Sequence, residues 1–366
     1  MNLLHVFRQS EKDGISDYAW RLGMALSSFF NVVSISPDEF RTKSRLLSDI
    51  ILVQYEDSHF TGPDGRNFYG EAVAGINTPL CALVHEAYAV NPYIRRRPDP
   101  GGFLNPLAFL RRIKFDFDHP GERLHDRLYA RNMSARLILV HSESEKAALV
   151  KRGASADKIE SIAFPVPDYS LPATLRRDEF VPEGSFIIAT AGFFSPSVDY
   201  SLVIECLRRM PELYWIHIGG ERTDSDSSIR KKIEAEISSS GLSDRMSITG
   251  FLPNDKFGAY IELADVLIFP FKFKAASASL PLAASFRKPA LVSDIAFCRE
   301  AASLYRNLKI FQEGSPDALV DRVRELMNNP GEIEALSKNA ERASEKFSFD
   351  NSARSIHDLW RKHGLA

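Results

Sequence analysis

Lys272, Lys274 and the small residues Ala276, Ser277, Ala278 and Ser279 follow an apolar run that ends at Phe269-Pro270. Small side chains let a diphosphate approach the backbone amides at the start of the helix expected next, and two ammonium groups would neutralise it. The plain alternative is a tightly packed helix start with two solvated lysines. In the same half, glycines close other apolar runs: Gly192 in ATAGFFSP, Gly219-Gly220 in IHIGG and Gly250 in ITGF. Glycine at a strand end is where a phosphate lies in an open α/β crevice. Arg222 follows the glycine pair as a further cation. Phe251, directly after Gly250, is placed either to stack on a base or to fill the core.

In the first half, polar residues again follow apolar runs directly. Gln54-Tyr55-Glu56 follow Ile50–Val53, and His85-Glu86 follow Leu80–Val84. Side chains at the carboxyl ends of strands in an open sheet face a ligand. His85 could hydrogen-bond a sugar hydroxyl or an acceptor, with Glu86 orienting it or taking a proton; a structural histidine bonded to backbone is the alternative. Gly14 precedes a helix expected near Asp17–Phe29, where backbone N–H groups and the helix N-terminus can receive an anion.

Short continuous apolar runs must position these residues. They are Leu3–Phe7, Val32–Ile35, Ile50–Val53, Leu80–Val84 and Leu137–His141 in the first half. In the second half they are Phe186–Ala191, Tyr214–Ile218, Met246–Thr249, Val266–Phe269 and Ala290–Ser293. Unbroken apolarity signals burial on both faces, as in a parallel sheet covered by helices. Helical stretches such as Glu143–Lys151, Tyr200–Arg209 and Ser228–Ser239 lie between the runs. The alternation, met twice, predicts an α/β chain of two doubly wound Rossmann-like domains facing a cleft. Four prolines between Pro165 and Pro182 mark the connector. Residues 1–168 are expected to form the first domain and 183–345 the second. A helix within 346–366, capped by Asp350 or Asn351, ends near Gly364.

At 366 residues the chain suits two domains, each with its own core. Hydrophobic residues make up 44% and charged residues 26%, which is ordinary for a soluble globular protein. A net charge of −2 excludes global attraction to nucleic acid. Cys81, Cys206 and Cys298 are scattered, forming no metal or redox motif, and read as reduced core thiols. No metal or cofactor is expected. Met1 leads straight into LLHVF, too short for a secretory core and lacking a basic leader, so a cytoplasmic location is expected. The stretch 93–117, YIRRRPDPGGFLNPLAFLRRIKFDF, interleaves arginines with large apolar residues. It suits a peripheral membrane contact or a lipid-linked acceptor, or else a solvated basic loop ahead of a packed helix.

Taken in order, DGISDYAWRLGMAL, DIILVQYED, LCALVHEAY, ARLILVHSESEKAALVKRG, ATAGFFSP, IHIGG, ITGFLPNDKFGAYIELADVLIFPF and FRKPALVSDIAFCRE resemble the GT-B glycosyltransferases of retaining family 4, over nearly the whole chain. The resemblance implies a nucleotide-diphosphate sugar held mainly by the second domain, an acceptor on the first, and a terminal helix crossing back. It matches Gly14 to the glycine loop near the donor diphosphate and His85 to the histidine that approaches the transferred sugar. It matches Ser277 to the serine of a serine-glycine loop variant, with Ala278 where that glycine would stand. Glu300 matches an acidic residue that closes the segment after the last proline-containing strand.

Departures from the family pattern are chemical. The usual glutamate pair, eight residues apart, falls on Lys274 and Leu282, and Phe193, Ser195 and Val198 replace expected basic residues after Gly192. Lys272 and Lys274, helped by Arg222 or Arg8, are expected to supply the missing positive charge. The reading is a retaining hexosyltransferase acting on a glycan or lipid-linked acceptor in cell-surface polysaccharide biosynthesis. A glycosyltransferase-like binding or scaffold protein is the alternative, and cleavage or epimerisation of a sugar nucleotide a weaker third.

Overall fold

The computed structural model describes every residue except 11–12, 44–47, 64–66, 89–134, 170–174 and 180. The basic stretch 93–117 therefore lies outside the described residues, as does part of the proline-rich connector. The chain divides into two compact units, Met1–Ile162 with Ser352–Ala366, and Ala163–Asn351.

The first unit holds β1 (Asn2–Val6), β2 (Asn31–Ile35), β3 (Ile50–Tyr55), β4 (Leu80–Val84), β5 (Leu137–Val140) and β6 (Ile159–Ser161). They form one parallel sheet in the order β2-β1-β3-β4-β5-β6. Leu4, Val6, Ile51, Val53, Ala82, Val84, Ile138 and Val140 alternate onto one face and pack with Phe40, Phe60, Phe68 and Tyr69. On the other face His5 meets Gly23 of helix Gly14–Leu26. Trp360 of the terminal helix Phe349–Lys362 is fully buried there, packing on Phe30.

The second unit holds β7 (Phe186–Ala191), β8 (Leu213–Ile218), β9 (Met246–Ile248), β10 (Val266–Phe269), β11 (Ala290–Ser293) and β12 (Leu308–Phe311). These too are parallel, in the order β12-β11-β10-β7-β8-β9. Both faces of this sheet are covered, giving one core around Ala189, Leu267 and Val292 and another around Ile188, Trp215 and Leu291.

All ten apolar runs are strands. Two further strands, β6 and β12, carry no such run. They are sheet edges, and Glu160 and Lys309 in them remain partly exposed, so continuous apolarity is not required. The first helix starts three residues earlier than its expected Asp17, because the Asp13 side chain accepts from the Ile15 N–H and caps it there. Neither Asp350 nor Asn351 caps the terminal helix. Ser348 Oγ accepts from the Asn351 N–H instead, and Asn351 Nδ2 donates to the carbonyls of Glu345 and Lys346 in the preceding helix.

Each sheet changes winding direction once, between β1 and β3 in the first unit and between β7 and β10 in the second. Loops leaving the two strands beside such a point diverge, and a crevice opens at their carboxyl ends. The polar segments singled out from the sequence leave strands at or next to one of these two points, apart from Gly250-Phe251, which follow the edge strand β9.

Candidate functional site

In the second unit the loop after β7 meets the loop after β10. Lys272 N–H donates to Ser197 carbonyl at 2.8 Å, Asp199 N–H donates to Pro270 carbonyl at 2.7 Å, and Val198 bridges Phe271. The loops also touch at their glycine and serine residues. A Cβ built on Gly192 would stand 3.9 Å from Ser279 Oγ, and Ser279 Oγ lies 2.9 Å from Ser277 Oγ. Across this junction Ser195 Oγ and Ser197 Oγ are 2.7 Å apart. Four hydroxyls and a glycine backbone thus line the switch point. Hydroxyls and amides of this kind are donors suited to phosphate oxygens.

The glycines here are dictated by space. Gly192 and Gly219 have φ of 117° and 144°, and a Cβ on Gly219 would fall 1.9 Å from the Gly192 carbonyl oxygen. A Cβ on Gly220 would fall 2.8 Å from Phe251 N. Three strand ends can therefore close together only without side chains. Beside them Phe193 and Phe251 stack, centroids 6.3 Å apart and planes within 14°, and the Arg222 guanidinium lies 4.7 Å above the Phe193 ring. Phe251 is 51% exposed, so it is a surface platform and not core.

One expectation for this unit is corrected. Residues 275–281 do not begin a long helix; only the single turn Leu282–Ser285 is helical. A turn this short contributes little dipole, so hydroxyls, amides and cations carry any anion binding here. Ser277 is buried, Ala278 exposed and Ser279 between the two; Lys272 is exposed and Lys274 half-buried. Glu300 is half-buried in helix Ala296–Tyr305, which follows β11, the neighbour of β10.

In the first unit the switch point holds a chain of buried polar side chains. His5 on β1, Gln54 on β3 and His85 after β4 stand on three adjacent strands. Gln54 Nε2 lies 2.8 Å from His5 Nε2, and Gln54 Oε1 lies 2.9 Å from His85 Nε2. Burial holds the His5 imidazole down to about 3. Burial likewise holds His85 well below its ordinary range, reinforced by His141 and His59 and opposed by Asp13. Both rings are neutral at physiological pH, so His85 serves as a hydrogen-bonding group. Tyr18 and His141 flank the His85 ring at 5.1 and 5.7 Å.

Beyond this chain lies an imidazole–carboxylate pair. His59 Nε2 donates to Asp13 Oδ2 at 2.9 Å, with the His59 side chain 4% exposed. Asp13 also accepts from Ile15 N–H and Ser16 Oγ. Burial pushes the Asp13 carboxyl up, but His59, Ser16 and Ile15 together outweigh it and hold it at about 2. Gly14 is the first helical residue and is not in the left-handed region. The amide end expected to receive a diphosphate beside Gly14 is instead occupied by a carboxylate, which repels one.

Glu86 adopts φ 57°, a conformation uncommon outside glycine. Its loop is strapped by Glu145, which is fully buried and accepts from the N–H groups of Ala87 and His141, both at 2.9 Å. Ser142 Oγ accepts from the Glu145 N–H and caps helix Glu143–Lys151, while the Glu145 carboxyl reaches back to the His141 N–H, one residue before the cap. Burial raises the Glu145 carboxyl to about 8.

His5, Asp13, His59, His141 and Glu145 were not among the residues expected at the site. The capping pattern Ser-x-x-Glu at 142–145 and the placement of His141 right after an apolar run were the available signals. His5 inside a strand and His59 in a short 3-10 turn carried none.

Residues 173–343 match the family model of glycosyl transferases group 1. No curated protein matches the sequence. Among solved structures the whole chain resembles HepE of Anabaena in complex with UDP and glucose. That similarity has a TM-score of 0.70 at 12% identity, covering 99% of each chain. Sucrose-phosphate synthase from Thermosynechococcus elongatus has a TM-score of 0.75 at 14% identity, covering 99% of this chain and 98% of its own. WaaG, a glycosyltransferase involved in lipopolysaccharide biosynthesis, has a TM-score of 0.62 at 14% identity, covering 98% and 99%. The second half of this chain is thus a domain of the glycosyl transferases group 1 family, carried on a chain with the two-unit GT-B fold.

Proposed function

We propose that the protein transfers a hexose from a nucleotide-diphosphate sugar to a glycan or lipid-linked acceptor, with retention, in cell-surface polysaccharide assembly. The observation that carries this reading is the junction of Gly192 with Ser277 and Ser279 at the switch point of the second sheet. There the diphosphate lies against amides and hydroxyls, with the base near Phe251, Phe193 and Arg222. HepE, a structural relative, holds UDP and glucose.

As the bond between sugar C1 and the diphosphate oxygen breaks, negative charge grows on the leaving group. Lys272 and Lys274 supply the positive charge that the family's basic residues, absent after Gly192, would provide. The new bond joins C1 to the acceptor oxygen, and the acceptor proton passes to the leaving diphosphate. His85 meets a hydroxyl of the sugar and Glu86 orients it; no cofactor or metal enters the scheme. Stretch 93–117 provides peripheral membrane or lipid-linked acceptor contact at the cytoplasmic face. Among the described residues no helix is long and apolar enough to cross a membrane.

A second reading, a binding protein without transfer, draws on Lys274 and Leu282 standing where the glutamate pair belongs. Thermal unfolding with a panel of nucleoside diphosphates separates the two from a chain without a donor site. At a hundred times its dissociation constant a ligand adds about 2.7 kcal/mol, which one diphosphate is expected to show. A sugar-nucleotide transfer assay with that base then distinguishes enzyme from binder. No shift with any diphosphate sinks both readings.

A further inference from the structure

We propose that Gln54 is a positioning residue that sets the tautomer of His85, keeping its proton on Nε2 and leaving the Nδ1 lone pair to accept a hydroxyl of a bound sugar. The inference rests on the reading above that His85 meets the sugar, and it adds the group that prepares it.

A carboxamide has one donating and one accepting end. Its nitrogen faces His5 Nε2 at 2.8 Å, so that nitrogen must accept; its oxygen faces His85 Nε2 at 2.9 Å, so that nitrogen must donate. The two neutral imidazoles are thereby locked into opposite tautomers, coupled through one side chain. With Nε2 protonated, Nδ1 of His85 carries a lone pair, and among the described residues no hydrogen bond reaches it. His85 therefore offers a sugar an acceptor and not a donor.

The far end of the chain is held by sterics. His5 packs on Gly23, where a Cβ would stand 2.9 Å from its Nδ1. In the tautomer that the Gln54 nitrogen selects, that Nδ1 carries the proton; it is buried and has no hydrogen-bond partner among the described residues. A network built for stability alone would not leave a buried N–H unmet, since apolar residues would fill these positions at lower cost. Local violations of this kind are expected where a site is being prepared.

The experiment uses the full chain with 15N-labelled histidine and two-bond 1H–15N correlation spectra, which report the protonated ring nitrogen directly. In the unaltered protein His85 is expected as the Nε2–H tautomer and His5 as Nδ1–H. Gln54→Met removes both bonds, and His85 is expected to show both tautomers. Gln54→Glu presents an acceptor to each ring, so His85 is expected to stay Nε2–H while His5 switches to Nε2–H. Adding UDP-glucose is expected to shift the His85 Nδ1 resonance in the unaltered protein and in Gln54→Glu, and to shift it less in Gln54→Met. A His85 that is Nδ1–H in the unaltered protein, or unchanged in Gln54→Met, overturns the assignment. So does UDP-glucose that moves other resonances and leaves His85 Nδ1 in place. If UDP-glucose moves nothing, the donor reading fails, while the tautomer pattern alone still decides the role of Gln54.

Discussion

Nε2 of His59 donates to Oδ2 of Asp13 at 2.9 Å, across the gap between the end of β3 and the first turn of helix Gly14–Leu26. One carboxylate thus caps a helix and pins a buried imidazole. The same carboxylate occupies the first turn of the helix by accepting from the Ile15 N–H.

The Asp13 carboxyl titrates at about 2 in the folded chain against 3.8 ordinarily. A depressed carboxyl contributes stability that is fully present above the unfolded value and is lost as pH falls through the folded one. The window is therefore about pH 4 down to about 2. The shift is worth on the order of 2 kcal/mol. Asp13→Ala is expected to cost a similar amount at pH 7, and to flatten acid unfolding in that window. Urea titrations at pH 7 and between pH 4 and 2 measure both.

Glu145 has the opposite sign. Its carboxyl is raised by burial from 4.5 to about 8, so the folded chain retains a proton that the unfolded chain releases. Stability therefore falls as pH rises between those values, by roughly 1.4 kcal/mol per unit for a fully titrating group. Glu145→Gln keeps one acceptor and no titratable proton, and its urea midpoint is expected to depend less steeply on pH from 5.5 to 8. A variant as pH-dependent as the parent would show that Glu145 is ionised throughout.

Gly219→Ala tests the closure of the strand ends. The added methyl would lie 1.9 Å from a backbone oxygen at a φ of 144°, and neither obstacle yields by rotating a side chain. A loss of at least 3 kcal/mol, or failure to accumulate folded protein, is expected. Gly241→Ala is the control, since nothing lies within 4 Å of its Cβ and only its left-handed φ of 65° opposes the change. Its cost should be about 1 kcal/mol. Equal melting temperatures for the two variants would contradict the packing.

Lys272→Ala with Lys274→Ala is expected to reduce transfer by about 100-fold or more, since cations aimed at a leaving diphosphate act on the transition state. The exposed Lys272 and half-buried Lys274 leave the core untouched, so circular dichroism and melting temperature should match the parent. Undiminished turnover in the double variant would remove these lysines from the mechanism.

The parallel sheets and most helices were legible because strands buried on both faces write unbroken apolar runs such as IILV at 50–53 and LCALV at 80–84. The glycines at 192, 219 and 220 could be placed at strand ends for the same reason. Strands β6 and β12 were not, because the partly exposed Glu160 and Lys309 break their apolar runs. What folding alone decided is which side chains meet. Nothing local tells His5 that it faces Gln54, 49 residues on, or tells Asp13 that His59 will hold it. Hydrogen bonds are short and directional, so such pairings exist only once strand order and register have set the distances. The apolar pattern needs burial alone, which sequence periodicity already records.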